Sequence, residues 1–219
     1  MNKLKYLAVL FTIAIAVLVT SSAQAILSET FLFTSDHITN PITNSPPGGG
    51  TPPFGSVSLI QDGANVDFTV TLFNGSAFVK TPAADNMYFK FNGVGVVLSD
   101  ITNINQNFSG FTLSAATGTF NGDGTGNFTF GITSNHGNGG SPPQYLGPIS
   151  FTVANATIAD LTVPNNLGNV FVADILAPNG HTGPVDASTP NSVPDGGATV
   201  MLLGAALGAL GMARRFLKC

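Results

Sequence analysis

The sequence has 219 residues, of which only 8% are charged, and it is rich in glycine and proline. An average soluble domain carries about 25% charged residues, so this chain offers a polar, weakly charged surface and enough length for one ordinary domain. The central segment 26–197 contains two lysines and eleven acidic residues, a net charge of −9, which excludes a nucleic-acid-binding surface.

The first 25 residues predict a secretory signal peptide. Lys3 and Lys5 precede an apolar run over 7–19, and a short polar stretch follows it. Ala23 and Ala25 fit the A-x-A cleavage pattern, which places the mature start at Ile26. The alternative is an uncleaved N-terminal anchor, which the short apolar run disfavours.

The body begins with a predicted strand over 30–34 and a long loop that ends at the Pro-Gly-rich stretch 46–53. Apolar residues then alternate with polar ones on both sides of the turn 62–65, which predicts a β-hairpin. Further strands are predicted at 87–92, 95–98, 110–113, 126–132, 149–154 and 170–177.

This spacing of short strands predicts an all-β fold, an antiparallel β-sandwich over 26–177. Ten phenylalanines recur at strand positions, and we expect them to pack between the two sheets. They are Phe68, Phe73, Phe78, Phe89, Phe91, Phe111, Phe128, Phe130, Phe151 and Phe171.

Candidate sites within the body are few. His37, His136 and His181 lie in loop-like stretches without a second ligand at metal-binding spacing, so we expect them to be solvated. The segment 121–127 presents side-chain oxygens at alternate positions, as calcium-binding loops do. It lacks the glutamate of an EF-hand, so it is better explained as a hairpin turn between Phe120 and Phe128. We predict no metal, no cofactor and no catalytic residue, and hence no enzyme.

The end of the chain combines a linker and a sorting tail. The tract 178–192 is predicted to be a flexible linker, and the tail 193–219 contains sixteen uncharged residues over 198–213. These form a minimal membrane-spanning helix, followed by the basic stop Arg214, Arg215 and Lys218, which predicts a cytoplasmic C-terminus. Cys219, the only cysteine, excludes an intramolecular disulfide.

The tail resembles the PEP-CTERM class of sorting signals, and most closely its VPDSG-CTERM variant. The motif is Val193, Pro194, Asp195, Gly196 and Gly197, with a Gly-Gly pair where that variant usually has Ser-Gly. The resemblance implies an exosortase, an integral-membrane protease, as the processing partner. It also implies a transient inner-membrane anchor and release to the cell surface or extracellular matrix. An anchor that is never cut is the alternative.

These features predict an exported structural or interaction protein of the cell surface or of an exopolysaccharide matrix, such as that of a biofilm. A carbohydrate-binding or adhesin module is the alternative, although the body has no tryptophan and only Tyr88 and Tyr145 to stack on a sugar. A secreted hydrolase is less favoured because no nucleophile or metal motif is present. Exopolysaccharide and a second copy of the chain are the further expected partners, since Thr-rich edge strands with few charges favour self-association.

Overall fold

The computed structural model describes residues 27–38, 48–82, 85–105, 112–122, 124–135 and 144–188. In these ranges the chain forms twelve strands and one short helix. They are β1 (Ser28–Leu32), β2 (Ser35–Asp36), β3 (Gly55–Asp62), β4 (Asn65–Leu72), β5 (Ala77–Phe78), β6 (Phe89–Phe91), β7 (Ile101–Thr102), β8 (Leu113–Asn121), β9 (Asn127–Ser134), β10 (Ile149–Val153), α1 (Ile158–Leu161), β11 (Phe171–Leu176) and β12 (Thr182–Ala187).

Two antiparallel sheets pack against each other, which confirms the predicted β-sandwich. One sheet has the strand order β1-β3-β4-β10-β7. The other has the order β2-β12-β11-β6-β9-β8, with β5 pairing an additional stretch of β11. In β3, β4 and β10 alternate side chains are buried between the sheets, because successive residues of a strand point to opposite faces.

The hairpin β3–β4 follows directly from its sequence. Asp62 pairs with Asn65 across a two-residue turn, as predicted. Gly63 has φ +59°, a conformation that glycine adopts without a steric penalty. The alternating apolar residues Val66, Phe68 and Val70 are buried, and the polar residues between them face outward.

An aromatic cluster fills the space between the sheets. Phe68 of β4 stacks on Phe151 of β10 with ring centroids 4.5 Å apart, and it also meets Phe91 and Phe171 of the other sheet at 5.4 and 5.9 Å. Eight of the ten phenylalanines predicted for the core are buried: Phe68, Phe78, Phe89, Phe91, Phe128, Phe130, Phe151 and Phe171. Phe73 is only partly buried, and Phe111 lies outside the described residues.

Some strand predictions need correction. The first strand is Ser28–Leu32 and not 30–34. The predicted strand 95–98 does not form, because Gly95 has φ +71° and the chain continues into a 3-10 turn at Leu98–Asp100. The predicted strand 110–113 overlaps the nine-residue β8 only at Leu113, where β8 begins, and residues 110 and 111 lie outside the described residues. The Ala, Gly, Ser and Thr content of β8 concealed its extent in the sequence.

The prediction of a flexible linker over 178–192 is wrong for the six residues of β12. The sandwich therefore extends beyond residue 177. β12 pairs with β11 over its whole length and also with β2. Glycine and proline are depleted in strand interiors, yet Gly183 and Pro184 each have a place in this sheet. Gly183 lies against Ile38, where a Cβ atom would come within 2.9 Å of the Ile38 Cα, and the Pro184 carbonyl accepts the His37 N–H at 3.1 Å.

Candidate functional site

A polar cluster lies where β2 meets β12. His37 Nε2 lies 2.5 Å from Asp186 Oδ2 and 3.3 Å from Ser35 Oγ. The Asp186 side chain is 4% exposed and that of His37 is 29% exposed, so the pair is largely shielded from water. The expectation that His37 is solvated is therefore wrong. The sequence did not reveal its partner, because Asp186 is 149 residues away along the chain.

The same cluster lacks the geometry of a Ser-His-Asp triad. In a triad the serine contacts one imidazole nitrogen and the carboxylate orients the ring through the other. Here Ser35 and Asp186 approach the same atom, Nε2 of His37. The contacts join the edge strand β2 to β12, which is a structural role.

The second described histidine is also bonded. His181 Nδ1 lies 2.9 Å from the Gly48 carbonyl oxygen, which also accepts a hydrogen bond from Asn179 Nδ2. These contacts join the β11–β12 turn to the segment that precedes β3. His136 lies outside the described residues. Among the residues that the structure describes, no group of three His, Cys, Asp or Glu side chains could hold a metal ion.

The segment 121–127 forms the hairpin turn that its sequence predicted. Asn121 pairs with Asn127 where β8 turns into β9. The Thr125 carbonyl faces a neighbouring loop and accepts hydrogen bonds from Asn165 Nδ2 at 2.6 Å and Asn169 Nδ2 at 3.0 Å. This carbonyl is thus engaged by amide groups of the protein itself. Asp123, the single carboxylate of the segment, lies outside the described residues.

Two charged residues are buried in the second sheet. Lys90 of β6 and Asp174 of β11 are both fully inaccessible to solvent. Asp174 Oδ2 accepts the Thr81 N–H at 2.8 Å, which fastens the segment after β5 onto the sheet. Lys90 alternates with Phe89 and Phe91, a pattern in which the polar residue usually faces water, so the sequence did not indicate its burial.

The two tyrosines of the body are buried rather than displayed. Tyr88 and Tyr145 are each 1% exposed, and their rings stack with centroids 6.0 Å apart. Burial raises the pKa of both phenols. Tyr145 donates to the Pro148 carbonyl, and Ser134 contacts the Tyr88 hydroxyl. Neither ring can act as an exposed platform for a sugar.

A cavity of about 260 Å³ opens at the end of the sandwich that carries the β11–β12 turn. Phe54, Pro178 and the pair Gly49 and Gly50 line it, together with the polar residues Thr51, Asn74, Ser76 and Asn179. No charged side chain lines the cavity. The Asn179 amide already donates to the Gly48 carbonyl, so few polar groups of the cavity remain to orient a ligand.

The processing residues predicted from sequence lie outside the described residues. These are Ala23, Ala25 and Ile26 at the signal cleavage site, Val193, Pro194, Asp195, Gly196 and Gly197 of the sorting motif, and Arg214, Arg215 and Lys218 of the basic stop. The predicted membrane helix 198–213 lies there too. In the part of the chain that the structure describes, no helix has the length and apolar character to cross a membrane.

Comparison with known protein families gives a match on the tail of the chain. Residues 192–216 match the VPDSG-CTERM motif. No curated protein and no solved structure matches the chain. The matched residues include the Val-Pro-Asp motif, the apolar stretch and the first basic residues, which are the features that carry the resemblance noted in the sequence. The chain therefore carries, at residues 192–216, a VPDSG-CTERM motif, a PEP-CTERM-like sorting signal of the exosortase system.

Proposed function

We propose that the protein is a structural or interaction protein of the cell surface or extracellular matrix, and that an exosortase removes its C-terminal tail. The observation that carries the proposal is the sorting motif at 192–216, which implies an exported, processed and surface-associated protein. The proposal also places the processed protein in the extracellular matrix and gives its sandwich a structural or binding role.

The order of segments in the tail supports a transient anchor. Pro194 cannot continue a helix, and Gly196 and Gly197 favour an extended backbone that a protease can bind. The apolar stretch 198–213 then enters the inner membrane, and the basic stop keeps the C-terminus in the cytoplasm. The sandwich lies on the opposite side, as the signal peptide also requires.

The body supports a structural role more than a catalytic one. Its aromatic core joins the two sheets, and its surface carries few charges. The cluster at His37 has no triad geometry, and the two tyrosines of the body are buried. We therefore propose a protein without enzymatic activity, with exopolysaccharide or another copy as the partner of the sandwich. No described contact favours the carbohydrate-binding alternative over this role.

The test is the intact mass and cellular location of the protein in its native cell, with and without the processing protease. We expect a surface or matrix species that starts at Ile26 and ends near the motif 193–197. Without the protease, we expect a species that retains Cys219 in the inner membrane.

Pro194→Ala and Pro190→Ala form a matched pair for this test, since both remove a proline but only Pro194 lies in the matched motif. We expect the first variant to remain uncut and the second to be processed normally. A wild-type protein that keeps Cys219 in the presence of the protease would contradict the proposal.

A further inference from the structure

The exposed apolar side chains of the body are concentrated at one end of the sandwich. Eight large hydrophobic residues of the described chain are exposed, and seven of them share this end, with exposed fractions between 38% and 58%. They are Leu27, Ile60, Val94, Val97, Leu98, Val163 and Leu167. We call these seven residues the exit surface.

Backbone contacts place the exit surface at a single end. The Leu27 carbonyl accepts the Gln61 N–H at 2.9 Å, beside the β3–β4 turn. The Val94 N–H donates to the Asp160 carbonyl at 3.0 Å, which joins the loop after β6 to α1. The side-chain oxygen Oε1 of Gln61 accepts the Ile158 N–H at 3.0 Å, so the hairpin, α1 and the loop that carries Val94 adjoin one another.

The chain leaves the sandwich at the same end. Ala187, the last residue of β12, pairs with Phe171, the first residue of β11, and its carbonyl accepts the Val170 N–H at 2.9 Å. The segment before β11 contains α1, Val163 and Leu167 of the exit surface. Five residues after Ser188 bring the chain to Val193, the start of the sorting motif, and they span at most about 18 Å when fully extended.

A protease that holds the motif is therefore confined to the neighbourhood of the exit surface. We propose that the exit surface is a docking site for the extracytoplasmic face of the processing protease, as a second contact besides the motif itself. This inference rests on the proposed processing of the tail. Burial of Val and Leu side chains against an apolar patch of the protease would favour binding of the uncut precursor.

The charges near this end favour a protein partner over an anionic bilayer. Asp100 and Asp160 lie beside the exit surface, where they accept the N–H groups of Val97 and Thr157. The two lysines of the described residues do not offset them there, since Lys90 is buried and Lys80 is bonded to the Ser134 carbonyl near the other end. Acidic groups beside an apolar patch are repelled by anionic headgroups, whereas a protease can present complementary basic groups.

The test compares tail removal from the full-length precursor and from the double variant Val94→Ser/Val97→Ser. The matched control is Leu146→Ser, because Leu146 is 59% exposed but lies outside the exit surface, beside the β5–Tyr145 pairing. With purified protease in detergent, we expect the double variant to raise KM by about tenfold with kcat unchanged, the effect of a lost docking contact. The control is expected to match the wild type, and the thermal midpoints of all three are expected to agree because the altered side chains are exposed.

Equal KM values for the double variant and the wild type would overturn the docking proposal while leaving tail processing intact. An effect seen in cells but absent in detergent would also overturn it, since the exit surface would then bind the bilayer and not the protease. If the wild-type precursor is not cut at the motif at all, the proposed function itself fails.

Discussion

Residues with polar groups in this sandwich are held by partners distant in the sequence. His37 and Asp186 join β2 to β12, and Asp174 holds the segment at Thr81. Tyr88 and Tyr145 are buried beside each other with their hydroxyl groups in hydrogen bonds. The Tyr145 hydroxyl donates locally, to the carbonyl of Pro148, but the other contacts join segments that the sequence alone does not bring together.

The buried tyrosines predict a loss of stability at alkaline pH. Burial raises the pKa of Tyr88 and Tyr145 above the ordinary value of about 10, so the unfolded chain loses these phenolic protons first as the pH rises. Their contribution to stability is complete below pH 10 and is lost as the pH rises through the folded-state pKa values. Lys80 acts in the opposite direction, because burial lowers its pKa.

Denaturant titrations between pH 8 and 12 test this prediction. We expect the free energy of unfolding of the wild type to fall more steeply above pH 10 than that of Tyr88→Phe/Tyr145→Phe, which has no phenol to ionise at these positions. The comparison is of slopes, since both substitutions also remove hydrogen bonds at neutral pH. Identical slopes would show that these tyrosines do not control the alkaline transition.

At the level of elements, the two sheets are joined by aromatic rings rather than by charges. Phe68 on β4 has ring neighbours on its own sheet and on the opposite one. A ring at this position contacts β6, β10 and β11 at once. Its loss leaves a void that close-packed neighbours fill only in part.

Phe68→Ala is expected to lower the free energy of unfolding by about 3–5 kcal/mol, from lost burial and the remaining cavity. Chemical denaturation monitored by circular dichroism measures this change. Leu146→Ala is the control, because its exposed side chain predicts a change within about 0.5 kcal/mol. A Phe68→Ala protein as stable as the control would contradict the central position of this ring.

For the whole molecule, the boundary of the folded body lies later than the sequence suggested. β12 supplies six paired residues to β11 and also holds β2. Removal of β12 would leave β11 as an exposed edge and would remove Asp186, the side-chain partner of His37. Both effects remove the two outermost strands, β2 and β12, from one side of the larger sheet.

Two truncations of the mature chain test this boundary. A protein ending at Ser188 is expected to unfold cooperatively, whereas one ending at His181 is expected to lack a cooperative transition because β12 is missing. Thermal unfolding followed by circular dichroism distinguishes the two. Equal midpoints would restore the interpretation of 178–192 as a linker.

The sequence by itself determined the features that are local along the chain. Alternation at 66–72 predicted the hairpin strand β4, because side-chain burial in a strand has a period of two. The phenylalanine spacing predicted most of the core, and the turn at 121–127 was predicted from its own residues. The sorting signal was also evident, since a short motif, an apolar run and basic residues are contiguous.

Only the tertiary structure decided the features that depend on distant partners. β12 was missed because Gly183 and Pro184 break isolated strands, yet here Gly183 accommodates Ile38 and the Pro184 carbonyl binds the His37 N–H. Val97 belongs to the predicted strand 95–98, but the fold leaves Val94 and Val97 exposed at the end where the chain leaves the sandwich. Burial and pairing depend on which segments meet across two sheets, and a local pattern carries no information about that choice.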